Sequence, residues 1–315
     1  MSLNFNTIMT NKKILALMFT ATLMLAGCGS DGDDDGPTPG GGGGGNKPEV
    51  NINKNVVKAG VPAEVTRLEF PRLREIGNNI VVVHKTSDSY SDGVNYSVEW
   101  DIEKKSQRWS CYQMMRGYQV TGVKRYKNDA NQYPFDEDLP SYDYYSQDYF
   151  WGSGFNHGHI CPSADRLYSD RANYQTFYLT NMQPQYAEFN AGIWEKLEIR
   201  IRNAWTPSNA TDVLYVCKGG TIDNENQIIK RISGRLIVPK YFFTALLLKN
   251  SSGYRAVGFW LEHTANDRSS DNLKDYAMSI DELEQRTGID FFCNLPDDIE
   301  STVEASNSAN AWGLK

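Results

Sequence analysis

Apolar and polar positions alternate with a period of two over several short stretches of the chain. Residues 79–84 read Asn-Ile-Val-Val-Val-His, short and rich in β-branched side chains. Residues 96–102 put Val98 and Trp100 on one face, and 108–115 carry Trp109, Cys111 and Tyr112. These two segments predict a hairpin turning around 103–106. Further strands are expected at 176–179, 212–217, 235–238, 241–248 and 255–261. The period becomes helical over 191–205, where Ile193, Trp194, Leu197, Ile201 and Trp205 recur three or four residues apart. Ser279 and Glu282 form a capping box just before Leu283. The mixture predicts an α+β fold, an antiparallel β-sheet core with helices packed on it.

The first residues belong outside that fold. Lys12 and Lys13 precede an apolar run over 14–25, too short for a comfortable membrane span, and Leu25-Ala26-Gly27-Cys28 follows. This resembles a bacterial lipobox, which implies a signal peptide over 1–28 with Cys28 acylated as the mature N-terminus. Met9 offers a second start. An acidic stretch, 29–35, resembles the export tag of some surface lipoproteins of the Bacteroidetes. Residues 36–46 are mostly glycine, with Pro37 and Pro39, and cannot bury a core. The expected organisation is a tether and lead-in arm over 29–65, one domain over 66–304 and a tail over 305–315. The expected place is the cell envelope, at the outer membrane and surface-exposed, with the membrane reached only through lipid. Four cysteines remain in the body, and an even count in an exported protein suggests two disulfides among Cys111, Cys161, Cys217 and Cys293.

With 315 residues and 40% hydrophobic side chains, the chain can pack a core. Its formal net charge of -7 argues against broad nucleic-acid binding, because phosphate contacts need Lys and Arg. A local positive field would suffice for an enzyme. Arg200, Arg202, Lys230, Arg231, Arg235 and Lys240 could supply it, or form a scattered solvated face.

Chemistry concentrates in two blocks. The first is Gly154-Phe-Asn-His-Gly-His-Ile-Cys-Pro-Ser-Ala-Asp165. The second runs from Phe177-Tyr-Leu-Thr-Asn181-Met-Gln-Pro184-Gln to Phe189-Asn190-Ala-Gly192-Ile-Trp194-Glu-Lys-Leu197-Glu198. Together they resemble the DNA/RNA non-specific endonucleases of the ββα-metal fold. Gly158, His159, Ile160 and Ala164 match the family motif, while Asn156 replaces its Asp and His157 its Arg. The second block matches at every family position, and Thr287-Gly288 through Phe292, with Leu295-Pro296, resembles the C-terminal signature. The resemblance spans roughly 83–299.

The resemblance implies hydrolysis of DNA and RNA to products with 5′-phosphate ends, with Mg²⁺ or Mn²⁺ as cofactor and no protein partner. The residue chemistry agrees. His159 titrates near neutrality and suits a general base. Asn190 offers a hard neutral oxygen for Mg²⁺, which keeps most of its waters. Glu198, eight residues on, would lie about 80° around a regular helix and accept hydrogen bonds from those waters. Arg202 could reach a phosphate or pair with Glu198. Arg125 is the best positional match to the family's upstream phosphate-binding Arg, with Lys124 and Lys127 as rivals. Replacing Arg by His at 157 exchanges a permanent bidentate charge for a titratable one. That points to lower activity, a shifted pH optimum or altered substrate preference.

Two other readings compete. An impaired nuclease-like surface protein could bind nucleic acid or a glycan, supported only by positions 156 and 157. A zinc site could use His157, His159 and Cys161 with a fourth ligand from His84, His263 or a carboxylate. The aromatic cluster Tyr144, Tyr145, Tyr149, Phe150 and Trp151 reads more as packing than as a base-stacking platform.

Overall fold

The computed structural model describes residues 50–139, 148–306 and 309–315. Cys28, the acidic and glycine-rich stretches, Tyr144 and Tyr145 lie outside them. Seven antiparallel strands form the central sheet. In chain order these are β1 (Asn79–Lys85), β2 (Val94–Asp101), β3 (Ser106–Met114), β6 (Val213–Gly220), β9 (Tyr241–Asn250), β10 (Gly253–Glu262) and β11 (Ala277–Met278), and they neighbour in that same order. Two short pairs stand apart: β4 (Asn156–His159) with β5 (Met182–Gln185), and β7 (Ile228–Ile232) with β8 (Leu236–Pro239). The expected hairpin joins β2 and β3, with Asp101 opposite Ser106.

The alternation in these strands buries both sheet faces. Tyr96, Val98, Trp100, Tyr112 and Met114 pack on one face against Ile193, Trp194, Leu197, Ile201 and Trp205. Trp109, Cys111, Cys217 and Ala245 pack on the other, against helices α4 (Ile280–Thr287) and α5 (Asp297–Glu304) through Ile280, Leu283 and Val303. Ser279 caps α4 as its spacing predicts, its side chain accepting from the Glu282 amide at 3.2 Å.

Several expectations are corrected. Residues 176–179 are not a strand: helix α1 (Asp170–Gln175) ends there and a 3-10 turn begins at Leu179. Phe177, Tyr178 and Leu179 are all buried, and a short run buried on every side has no period to read. The four body cysteines are free and buried. Cys111 and Cys217 face each other across β3 and β6, but Cys161 lies in the core on the opposite side of the sheet. They behave as small apolar side chains, and burial pushes the Cys161 thiol up to about 12.

The arm and the tail are also part of the folded body. Asn55 donates to the carbonyls of Val65 and Pro71, and Asn51 donates to that of Cys293 at 3.0 Å. In the tail Trp312 and Leu314 are buried, and Trp205 Nε1 donates to the Trp312 carbonyl at 2.9 Å. Among the described residues no helix is long and apolar enough to cross a membrane.

Candidate active site

The β4–β5 pair is followed directly by a helical run over 187–205, giving a ββα unit on one face of the sheet. Gly158 lets the two strands close: a Cβ there would lie 2.2 Å from the Gln185 side chain. Gln183, opposite Gly158, donates to the Gln107 carbonyl and accepts from the Gly220 amide at 2.6 Å, which ties the pair to β3 and β6. Asn181 clamps the chain just after the histidine. Its Oδ1 accepts from the Cys161 amide at 2.9 Å, and its Nδ2 donates to the Cys161 and Thr176 carbonyls.

The helical run is irregular. α2 (Ala187–Phe189) and α3 (Glu195–Arg200) alternate with π turns at Asn190–Trp194 and Ile201–Trp205, and Gly192 leaves helical geometry (φ −106°, ψ −112°). The angle expected between Asn190 and Glu198 on a regular helix therefore does not apply. Both line one cavity of about 230 Å³ with His159, Arg125, Ser163, Glu195 and Arg202. A neighbouring cavity of about 360 Å³ shares Arg125, His159 and Asn190 and adds Tyr133, Trp151, Asn156 and His157.

His159 has the properties of a base. Its Nε2 is buried with no hydrogen-bond partner among the described residues. Burial, then the charges of Arg125 and His157, hold its pKa well below the ordinary histidine range. The ring is therefore neutral at neutral pH, with a lone pair free. Phe177 meets it edge-on at 4.9 Å, and Trp194 Nε1 donates to its backbone carbonyl at 3.3 Å.

Among the described residues, two of the three cations at the cavity are paired with carboxylates. Arg125 lies over Phe177 at 4.8 Å and donates to the Ser163 hydroxyl. Among the described residues it has no carboxylate partner, and burial lowers its pKa. Arg202 does not pair with Glu198; its Nε donates to the buried Asp165 at 2.5 Å. Glu198 instead accepts from Lys218 of β6 at 2.8 Å, and Lys218 is wholly buried, 4.2 Å over the Trp194 ring. Burial raises the Glu198 carboxyl, and Lys218 opposes that rise.

Lys218, Ser163, Asp165 and Glu195 were not singled out from sequence. Lys218 left a signal, since one lysine inside Val-Leu-Tyr-Val-Cys-Lys-Gly-Gly must find an anion or stay unburied. His157 is not a free phosphate ligand. Its Nε2 faces Asp148 at 2.7 Å, and its ring stacks on Tyr133 at 3.6 Å and Phe150 at 4.3 Å. Asn156 is exposed at the start of β4. Of the aromatic cluster, Phe150 is packed and Trp151 is 69% exposed at the second cavity. The remaining basic candidates mostly lie on exposed surface, where Arg231 pairs with Glu225.

The donor set fits a hard cation. The Asn190 side chain has no hydrogen-bond partner among the described residues, and Glu198 adds a carboxylate in a cavity with room for water. Oxygen donors with space for waters suit Mg²⁺ or Mn²⁺. The zinc arrangement fails, because Cys161 is buried in the core and His263 is engaged on both nitrogens, with Pro239 and Tyr186. His84, Asp136 and Asp138 also have metal-ligand spacing, but Asp136 already accepts from Thr180 and faces His84 Nε2 at 2.8 Å.

The family model for DNA/RNA non-specific endonucleases matches residues 77–298. The chain belongs to that family. It is 28% identical over 233 residues to a nuclease from Nostoc sp., covering 70% of this chain and 79% of that one. It is 25% identical over 215 residues to the human mitochondrial nuclease EXOG, covering 64% of this chain but only 56% of the relative. Among solved structures, one of an EndoG/EndoGI complex aligns with a TM-score of 0.57 at 20% identity, over 74% of this chain and 93% of that chain. That likeness speaks to the fold alone, and it agrees with the α+β architecture and the ββα unit of this endonuclease.

Proposed function

We propose that this endonuclease hydrolyses phosphodiester bonds in DNA and RNA with little sequence preference, using His159 to activate water. The observation that carries the reading is the shared cavity. An imidazole nitrogen and an amide without hydrogen-bond partners, and an arginine without a carboxylate partner, all among the described residues, line it. Asn190 and Glu198 would hold Mg²⁺ or Mn²⁺, which when bound would offset the charge that develops on the phosphate and the leaving oxygen. His159 Nε2 takes a proton from the attacking water. Arg125 holds a phosphate oxygen, with Phe177 and Ser163 fixing its direction. Lys218 orients Glu198 and favours its charged form against the effect of burial. Trp151 offers an exposed ring beside the second cavity on which a base could stack. We further propose that the enzyme acts outside the cell, anchored by lipid on Cys28.

The test is nicking of supercoiled plasmid and digestion of RNA by purified protein, with Mg²⁺ and with excess chelator. Cleavage of both substrates, lost on chelation and restored by Mg²⁺, is expected. Absence of cleavage at every pH from mildly acidic to mildly basic would sink the reading. For the anchor, radiolabelled fatty acid should enter the wild-type protein and not Cys28→Ala.

The depressed pKa of His159 makes a second prediction. A neutral base persists into mildly acidic solution, so the acid limb of kcat/KM should lie below pH 6.5, the unperturbed value. Arg125→Met removes a positive neighbour and should move that limb to higher pH, besides raising KM. An acid limb at or above pH 6.5 in wild-type enzyme, unmoved in the variant, would contradict this electrostatic account.

A further inference from the structure

On the sheet face away from the nuclease cavity, α4 and α5 bring three carboxylates together. Oxygens of Asp281, Glu284 and Glu304 all lie within 4.8 Å of one another. No Lys or Arg pairs with any of them among the described residues. Arg286, the nearest basic residue on α4, is taken by Glu282 at 2.6 Å on the exposed side.

Such a cluster alone could be a solvated acidic surface, but Glu304 is not solvated. It is 6% exposed, and its Oε1 is buried with no hydrogen-bond partner among the described residues. A buried carboxyl group with an unpartnered oxygen, beside two other carboxyls, is costly unless a cation or a proton fills the gap. The surroundings add negative charge. Asp290 and Glu300 lie nearby, both held by the Asn53 side chain, and Glu284 accepts from the Phe291 amide at 2.6 Å. Among the described residues, no basic side chain fills the gap between the three carboxyl groups.

We propose that Asp281, Glu284 and Glu304 bind a Ca²⁺ ion that ties α4 to α5, separate from the catalytic cation. The set is all oxygen, which excludes the sulfur- and nitrogen-preferring metals. Ca–O distances of about 2.3–2.6 Å allow ligand oxygens as far as about 5 Å apart, and the three oxygens here lie within that limit. Mg²⁺ needs a tighter octahedron and sheds its waters reluctantly, so it suits this trio less well. Asp281 is the most solvent-facing of the three, which leaves an entry path and room for water ligands. The ion is structural: it lies on the far side of the sheet from His159, and neither helix reaches the nuclease cavity.

The test uses full-length protein stripped with EGTA, followed by thermal unfolding and calorimetric titration with CaCl₂ near pH 7.5. At a hundredfold excess over Kd the wild-type Tm should rise by about 5–10 °C. Glu304→Gln should lose most of that rise. Asn190→Ala, which alters only the catalytic cavity, should keep the rise. If Glu304→Gln does not fold, Asp281→Asn at the rim should weaken calcium binding at least tenfold. The proposal is overturned if wild-type Tm does not respond to millimolar calcium, as when the three acids simply share protons. It is equally overturned if Glu304→Gln responds as fully as wild type. Plasmid cleavage in Mg²⁺ by Glu304→Gln should match wild type, so failure of this site and failure of the nuclease reading give different results.

Discussion

Replacing His159 with alanine is expected to slow plasmid cleavage by roughly 10²–10⁴-fold, the usual contribution of a positioned general base. The fold should survive. The imidazole contributes no hydrogen bond through Nε2, and its neighbours Phe177 and Trp194 are held by their own packing. A Tm within a few degrees of wild type would therefore accompany the lost rate. Imidazole added to the reaction should restore part of it, since the deleted group leaves a cavity open to solvent on the substrate side. A variant that digests plasmid at the wild-type rate would remove the basis for the mechanism. One that is inactive only because it is unfolded would be recognised by its melting curve.

Lys218→Met should give the largest change in stability. Lys218 and Glu198 form a buried pair, and removing one member leaves the other as an uncompensated charge. The expected cost is about 3–5 kcal/mol in metal-free protein above neutral pH. For a domain of this size that lowers Tm by about 6–20 °C. The cost should shrink as pH falls. Glu198 already has a raised pKa through burial, and losing its cation raises it further. Protonation at mildly acidic pH then discharges the stranded carboxyl, so wild type and variant converge there. Lys218→Met/Glu198→Gln should recover most of the loss at every pH. A single variant as stable as wild type at pH 8 would mean that water reaches Glu198 freely.

Much of the sheet was legible because its strands are half-periodic. Tyr96, Val98 and Trp100 share a face in sequence and in space. β4 and β5 were not legible as strands. Asn-His-Gly-His and Met-Gln-Pro-Gln carry no apolar alternation, and they pair because Gly158 admits the Gln185 side chain. The candidate residues His159, Asn190, Glu198 and Arg125 came from motif resemblance, and they line one cavity. Their partners were harder to read. Asp165 and Lys218 are far from Arg202 and Glu198 in sequence, and an ion pair closed by tertiary packing leaves no local pattern. Pairing with Glu198 was one of two roles that helical spacing left open to Arg202, and Asp165 and Lys218 took the two partners instead. The disulfide expectation rested on counting cysteines, and counting does not reveal which side of a sheet each one occupies.

The packed C-terminus has a practical bearing on how the enzyme can be handled. The backbone carbonyl of Trp312 receives the indole of Trp205, and that of Gly313 receives Arg200 at 3.1 Å, both from the helical run that carries Glu198. The last few residues therefore brace the far end of the helix on which the chemistry is mounted. A shortened chain ending near residue 306 would be expected to lose alignment at Glu198 before it lost its sheet. A fusion partner should therefore leave residues 309–315 in place.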